Sequence, residues 1–470
     1  MIACVWRGEF PSPRVAAAIV AAGVVFRFAT LGHQSLWLDE CFDVWVATTH
    51  TAQQIWSAHL DPNEPSLYYA LMHWVLGWTG VSEASARLLS ALSSVAGIAL
   101  VWWLARSLAP GSSVARLAAA LLAVAPLDVW YAQEARMHGL VGSTSLLLAI
   151  GLLVRRWWTT GLIVIGLAGG LAIDHTMWPF ALILLGAWFA HWWRVGRPVG
   201  DLARVTLATG MASFIYRPVW PEAVDVFNRL HTVTVFANLR QGVGFGYVAT
   251  WSFPAALIAS AALSAAVAFA VLAAWRRDVS RRRLEWLLIA GFVVGTALAA
   301  IPRGYGLKQV VVGGWPVFTA TAALAIASVD QRGPTVGGAQ PARHWMAPLA
   351  LAVSICALAV TWFTPRADWR GVASYIAARD TGTIVVVQDP PWNDLPYRYY
   401  RPGHPTVSGP ISSRDALVAG RHNATEACLV AQRFGPSPPT SPSERWMDHN
   451  LPLLSTTPFA RLEIRCYRLR

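Results

Sequence analysis

Ser66–Thr79 reads Ser-Leu-Tyr-Tyr-Ala-Leu-Met-His-Trp-Val-Leu-Gly-Trp-Thr, and whether it crosses a bilayer or lies along one decides the side on which every later loop falls. It is apolar but shorter than the ~20 residues a span needs, and it is loaded with Tyr, His and Trp. Laid flat, it puts Arg106 and Arg116, Arg155 and Arg156, Arg194 with Arg197 and Arg204, Arg276 to Arg283, and Arg332 with Arg343 on the side of the amino terminus. That is the positive-inside arrangement. Made to span, it would turn most of those clusters outward. The sequence therefore predicts an amphipathic helix parallel to the membrane.

The composition supports a membrane setting. The 470 residues are 55% hydrophobic and 13% charged, with mean hydropathy +0.44, too few charges to cover a soluble globule of this size. The net charge of +12 lies in short arginine clusters between apolar runs, which orients helices in a bilayer and predicts no nucleic-acid partner. The 25 tryptophans suit membrane interfaces. Arg7 and Arg14 precede an apolar run without a small-residue cleavage site, which reads as a retained first span. Spans are expected near residues 15–32, 86–105, 114–130, 138–154, 159–173, 176–193, 202–217, 248–275, 286–301, 309–329 and 345–363. The fold class is thus an α-helical polytopic membrane protein of about 11 spans, with a small α/β domain after them.

With this parity the outer face collects Asp39, Glu40, Asp43 and Glu64 in the first loop, residues 33–85. Gln133, Glu134 and Arg136 follow, then Asp174 and His175, a loop from Trp220 to Tyr247, and Arg303, Tyr305 and Lys308. Domain 1–363 is expected to hold the membrane part and the first loop, and 364–470 to form an extracytoplasmic tail. In the tail a helix is expected from Asp368 to Arg379, with strands at Thr383–Gln388, Ala427–Gln432 and Ala460–Tyr467. This tail is small for an independent enzyme but could contact an acceptor. Cys428 and Cys466 both lie in it, either paired or as two free thiols; no CxxC spacing supports a zinc or redox motif.

Leu36-Trp37-Leu38-Asp39-Glu40 sets two carboxylates at the membrane edge. Such a pair is either a solvated loop or a chemical site at headgroup depth. Together with Pro65-Ser66-Leu67-Tyr68-Tyr69 and Tyr131-Ala132-Gln133-Glu134-Ala135-Arg136, it resembles the GT-C glycosyltransferases of the protein O-mannosyltransferase type and the bacterial aminoarabinose lipid A transferases. The recognisable motifs cover about the first half of the chain. Two departures fall on the sugar and acceptor side: Glu64-Pro65-Ser66 stands where relatives carry His-Pro-Pro, and His138 where a tyrosine often follows the QEAR string.

The resemblance implies an inverting transfer of a sugar, mannose first and arabinose second, from a polyprenyl-phosphate donor to a hydroxyl on a glycan, lipid or protein acceptor. Asp39 matches the family's base position, and Glu40 becomes a metal or acceptor contact. Glu64, Tyr68, Glu134, Arg136, His175, Arg303 and Lys308 are expected to bind substrate. The leaving phosphate calls for cations; Lys308, the chain's only lysine, is either such a group or an ordinary interfacial cation. Glu134 and Arg136 are either site residues or a structural bridge. Asp174 and His175, with Glu40, are the candidate ligands for a divalent metal ion, and a helix-end hydrogen bond competes for Asp174 and His175. A flippase for lipid-linked sugars and a non-catalytic envelope scaffold are the competing functions.

Overall fold

The computed structural model describes residues 12–58, 60–61, 64–109, 112–194, 198–221, 224, 314–317, 319–320, 322–324, 326–327, 346–363, 365–433 and 441–469. Arg303, Lys308 and the expected spans 248–275 and 286–301 lie outside these residues. By packing, the chain divides into two compact units. One comprises Met1–Ala29, His50–Val75 and Arg87–Phe363; the other comprises Thr30–Thr49, Leu76–Ala86 and Thr364–Arg470. Segments of the first loop thus pack as one body with the tail.

The first unit is helical. Helices Pro13–Phe28, Glu83–Leu108, Ser112–Ala123, Pro126–Ala132, His138–Leu153, Met177–Arg194, Val199–Tyr216 and Met346–Trp362 stand where the hydropathy places spans. Among the described residues, Glu83–Leu108 is the one helix long and apolar enough to cross a membrane alone, and the bent pair ending at Ala132 passes if counted as one span. Ser66–Thr79 forms a helix over Leu67–Thr79.

The bend between Ser112–Ala123 and Pro126–Ala132, 55°, follows from Pro126, which lacks the N–H that would continue the ladder to Leu122. The freed carbonyls are met by Arg27, whose side chain has no exposed surface. Its guanidinium donates to Leu122 O at 3.0 Å, Ala123 O at 2.8 Å, Gly23 O at 2.7 Å and Ser94 Oγ at 2.6 Å, and pairs with Asp128 Oδ2 at 2.6 Å. Asp128 sits in the first turn of its helix, where the helix dipole favours an anion. Gly23 permits this approach: a Cβ there would lie 2.6 Å from Ala123 O. Further along, a π-helical turn at Ile165–Gly169 leads to Asp174; a Cβ on its Gly166 would stand 2.5 Å from Leu148 N.

The tail contributes a five-stranded sheet of order β2-β1-β3-β5-β4. Its strands are β1 (Ile384–Gln388), β2 (Thr406–Ser408), β3 (Glu426–Gln432), β4 (Leu453–Phe459) and β5 (Leu462–Arg468). β1 is parallel to both neighbours and buried at every position, as expected for a strand covered on two faces. One face packs on Trp369, Val372 and Ile376 of helix Trp369–Arg379, whose N-cap Asp368 accepts from Gly371 N at 2.8 Å. The other packs on Leu417 and Met447. Cys428 and Cys466 are register partners on β3 and β5 and form a disulfide.

Removing one member of the Arg27–Asp128 pair strands the other as an unpaired buried charge, at a cost of about 3–5 kcal/mol. Arg27→Met should lower the thermal midpoint of the protein in lipid nanodiscs markedly, and adding Asp128→Met should restore much of the loss. A double variant no better than the single one would contradict a pairwise role.

Candidate active site

In the unit containing the tail, Asp39 and Glu40 open helix Leu38–Thr49. Adjacent helical residues point about 100° apart at 3.6 residues per turn, and their environments differ accordingly. Asp39 is half-buried and Glu40 is fully buried. Glu40 Oε2 accepts from Trp37 N at 3.1 Å, and Oε1 faces Arg366 Nη1 at 3.5 Å. Sequence reasoning reserved Glu40 for a metal or acceptor; the structure engages it with Arg366 and the loop backbone.

The approach to this helix is fastened to the tail residue by residue. Arg366 N donates to Gln34 Oε1 at 3.1 Å, and Ser35 Oγ to Asp368 Oδ1 at 3.2 Å. Leu36 N donates to Tyr400 Oη at 2.6 Å, and Arg370 donates to Gly32 O at 3.1 Å and pairs with Glu83. Tyr400 Oη in turn donates to Glu83 Oε1 at 3.2 Å. Burial pushes the Tyr400 phenol well above its ordinary range, against the Leu36 N–H that alone would lower it, so it remains a donor. Residue types at Arg366, Arg370 and Tyr400 gave no signal of this task, because the pairing is between segments more than 300 residues apart.

The helical unit holds the other described candidates. Glu64 and Tyr68 are buried, and the Tyr68 ring meets Tyr69 edge-on at 5.9 Å. Tyr69 Oη donates to Asp61 Oδ2 at 2.6 Å, and the Asp61 carboxylate acts electrostatically on His175. The sequence reading passed over both: Tyr69 lies in the Pro65–Tyr69 motif and Asp61 just ahead of it. Glu134, buried, accepts from Trp130 Nε1 at 2.7 Å, and Gln133 Nε2 donates to Phe26 O at 2.5 Å. Ser90 Oγ donates to Arg136 O at 2.9 Å. The string Gln133–Arg136 is therefore tied to the first helix and to Glu83–Leu108.

Asp174 Oδ2 lies 2.8 Å from His138 Nδ1, and Oδ1 accepts from Thr176 N at 2.7 Å. Tyr131 packs edge-on against His138 at 5.4 Å. His175 Nδ1 meets Tyr216 Oη at 3.3 Å, while its buried Nε2 has no hydrogen-bond partner among the described residues. Both oxygens of Asp174 and both of Glu40 are thus engaged. Of the three residues expected as metal ligands, Glu40 lies in the unit containing the tail and Asp174 and His175 in the helical unit; His175 Nε2 is the donor atom among them with no partner among the described residues. The remaining described metal-type grouping, Glu426, Cys428 and Cys466, has its two sulfurs committed to the disulfide.

The described residues thus form a helical unit and a unit built on a small mixed α/β sheet. The sequence matches no protein-family model and no curated protein. Among solved structures the fold is that of ArnT from Cupriavidus metallidurans, an aminoarabinose lipid A transferase with the GT-C fold. The apo form matches over 96% of this chain and 97% of that one at 14% identity and TM-score 0.60. The form bound to undecaprenyl phosphate matches over the same shares at 14% identity and TM-score 0.56. The arabinosyltransferase EmbB from Mycobacterium smegmatis aligns over 76% of this chain and 37% of that one at 17% identity and TM-score 0.42.

If Arg366 holds Glu40, Arg366→Met should speed hydrogen exchange of the Leu38–Thr49 amides about tenfold or more. Tyr400→Phe should act more weakly, at the level of one hydrogen bond. Unchanged exchange in Arg366→Met would contradict the fastening.

Proposed function

We propose that the chain is an inverting glycosyltransferase that moves a sugar from a polyprenyl-phosphate donor to an acceptor hydroxyl at the outer face of the cytoplasmic membrane. The observation that carries this reading is the division of labour in the DE pair. Glu40 is buried and tied to Arg366, which leaves half-buried Asp39 on a fixed helical turn. A general base needs that combination of fixed position and access.

In this mechanism Asp39 accepts the proton of the acceptor hydroxyl as its oxygen bonds to the anomeric carbon. The bond from that carbon to the phosphate oxygen breaks on the opposite side, and polyprenyl phosphate departs with the electron pair. Arg136, Arg303 and Lys308 are assigned to the developing charge on the phosphate. Lysine serves there as a point charge, where arginine would offer a bidentate fork. Glu40 is a positioning residue for Asp39. Mannose is the first candidate sugar and arabinose the second.

Three things support the donor and the side. ArnT, with the same fold, was solved with undecaprenyl phosphate. The charge parity puts the arginine clusters inside. The Cys428–Cys466 disulfide suits an oxidising compartment and so an extracytoplasmic tail. A carrier of lipid-linked sugars would place ionisable groups at the membrane midplane for transport. The Arg27–Asp128 and His138–Asp174 pairs are instead closed on themselves.

Purified protein in nanodiscs, given polyprenyl-phosphate sugars and candidate acceptors, should release polyprenyl phosphate. Asp39→Asn should cut turnover about 100-fold or more while leaving thermal unfolding unchanged. Undiminished turnover in Asp39→Asn would remove the base assignment. Movement of the lipid-linked sugar across a vesicle membrane without transfer would replace the enzyme with a carrier.

A further inference from the structure

In the helical unit, the loop after helix His138–Leu153 is held from within and turns its largest side chains outward. Thr159 has no exposed surface; its hydroxyl shares its proton between Val154 O and Arg156 O, 2.7 Å from each, and accepts from Arg204 Nη1 at 2.9 Å. The same Nη1 donates to Gly151 O at 2.7 Å, and the buried Arg204 pairs with Asp201 at 2.9 Å. A loop tied by its carbonyls to a buried arginine keeps one conformation. What it presents is Arg155, Arg156, Trp157 and Trp158, all exposed, with 62% of Trp157 and 56% of Trp158 uncovered. Large apolar groups held rigidly outward mark an interaction surface.

Trp158 stacks on Trp103, ring centroids 5.9 Å apart, which sets this loop against the last turns of helix Glu83–Leu108. There Arg106, also exposed, lies over the ring of Trp102 at 5.2 Å. The charges of the patch are unbalanced. Asp201 serves both Arg155, at 3.4 Å, and Arg204, and among the described residues no carboxylate pairs with Arg106 or Arg156. Guanidinium forks suit phosphate oxygens, so the missing partner is an anion of that kind. A soluble anion would meet the arginines and leave the indoles in water. A phospholipid meets both, its phosphate at the guanidiniums and its glycerol and upper acyl carbons on the rings. Charge parity sets this end of the spans on the inner side, where the leaflet carries anionic lipids. A zwitterionic headgroup would bring an ammonium among the arginines; an anionic one brings none.

We propose that this corner is a binding site for an anionic glycerophospholipid of the inner leaflet, with Arg106 and Arg156 on its phosphate and Trp102, Trp157 and Trp158 against its glycerol and upper chains. It stands whether or not Asp39 is a base. The test is native mass spectrometry of the full chain released from nanodiscs that hold phosphatidylglycerol and phosphatidylcholine in equal amounts. Phosphatidylglycerol should stay on the protein about fivefold or more in excess of phosphatidylcholine. That preference should fall about fivefold in Arg106→Gln and in Arg156→Gln, the scale of one arginine at a lipid headgroup, and should fall in Trp157→Ala as well. It should persist in Asp39→Asn and in Arg14→Gln, which removes an exposed arginine from the start of the first helix. Arg106 and Arg156 are exposed, so their variants should melt like the parent. Equal retention of the two lipids overturns the proposal. So does a fall in Arg14→Gln as large as in Arg156→Gln, which marks diffuse surface charge, or release of the lipid by excess inorganic phosphate, which marks a site for a soluble anion.

Discussion

Glu40 is a carboxylate with no exposed surface, and an unpaired charge in that position would cost several kcal/mol. Its partner, Arg366, comes from the start of the tail, 326 residues away. That one requirement joins the loop after the first helix to the carboxyl-terminal domain. The hydrogen bonds from Arg366, Asp368, Arg370 and Tyr400 to Gly32, Gln34, Ser35, Leu36 and Glu83 then fix the direction from which helix Leu38–Thr49 begins. The tail is thus a structural part of the loop after the first helix, and the helical turn that carries Asp39 is set by it.

The helical unit meets a parallel constraint with Arg27. Pro126 breaks a helix, carbonyls are released in an apolar setting, and a single guanidinium with five donors satisfies them while pairing with Asp128. The same segment leads into Gln133, tied to Phe26, and Glu134, held by Trp130. In each unit a buried arginine therefore braces a segment that carries residues the proposed chemistry needs.

Much of this was legible in the sequence. Hydropathy placed the described helices, because the apolar signal builds up residue by residue over long runs. The unbroken run Thr383–Gln388 gave β1, since a parallel strand covered on both faces shows a continuous apolar run with no alternation. β2, of three residues, and β4, which carries Pro458 at the sheet edge, were missed because short edge strands follow their neighbours more than their own propensity. The DE pair stood out, yet its split into a fully buried and a half-buried carboxylate did not, because that depends on a partner with no sequence proximity. Arg27 drew no notice inside the first expected span, and its buried role needed the bend at Pro126. Arg303 and Lys308 rest on the sequence alone.

The central claim is inverting displacement at the anomeric carbon of a phosphate-linked sugar. It is tested most directly with a polyprenyl-phosphate donor carrying ¹³C at the anomeric carbon and ¹⁸O in the bridging oxygen, followed to product by NMR and mass spectrometry. The account predicts a product of opposite anomeric configuration, with all the ¹⁸O retained in the released polyprenyl phosphate. Retained configuration, or ¹⁸O carried into the product, would contradict it.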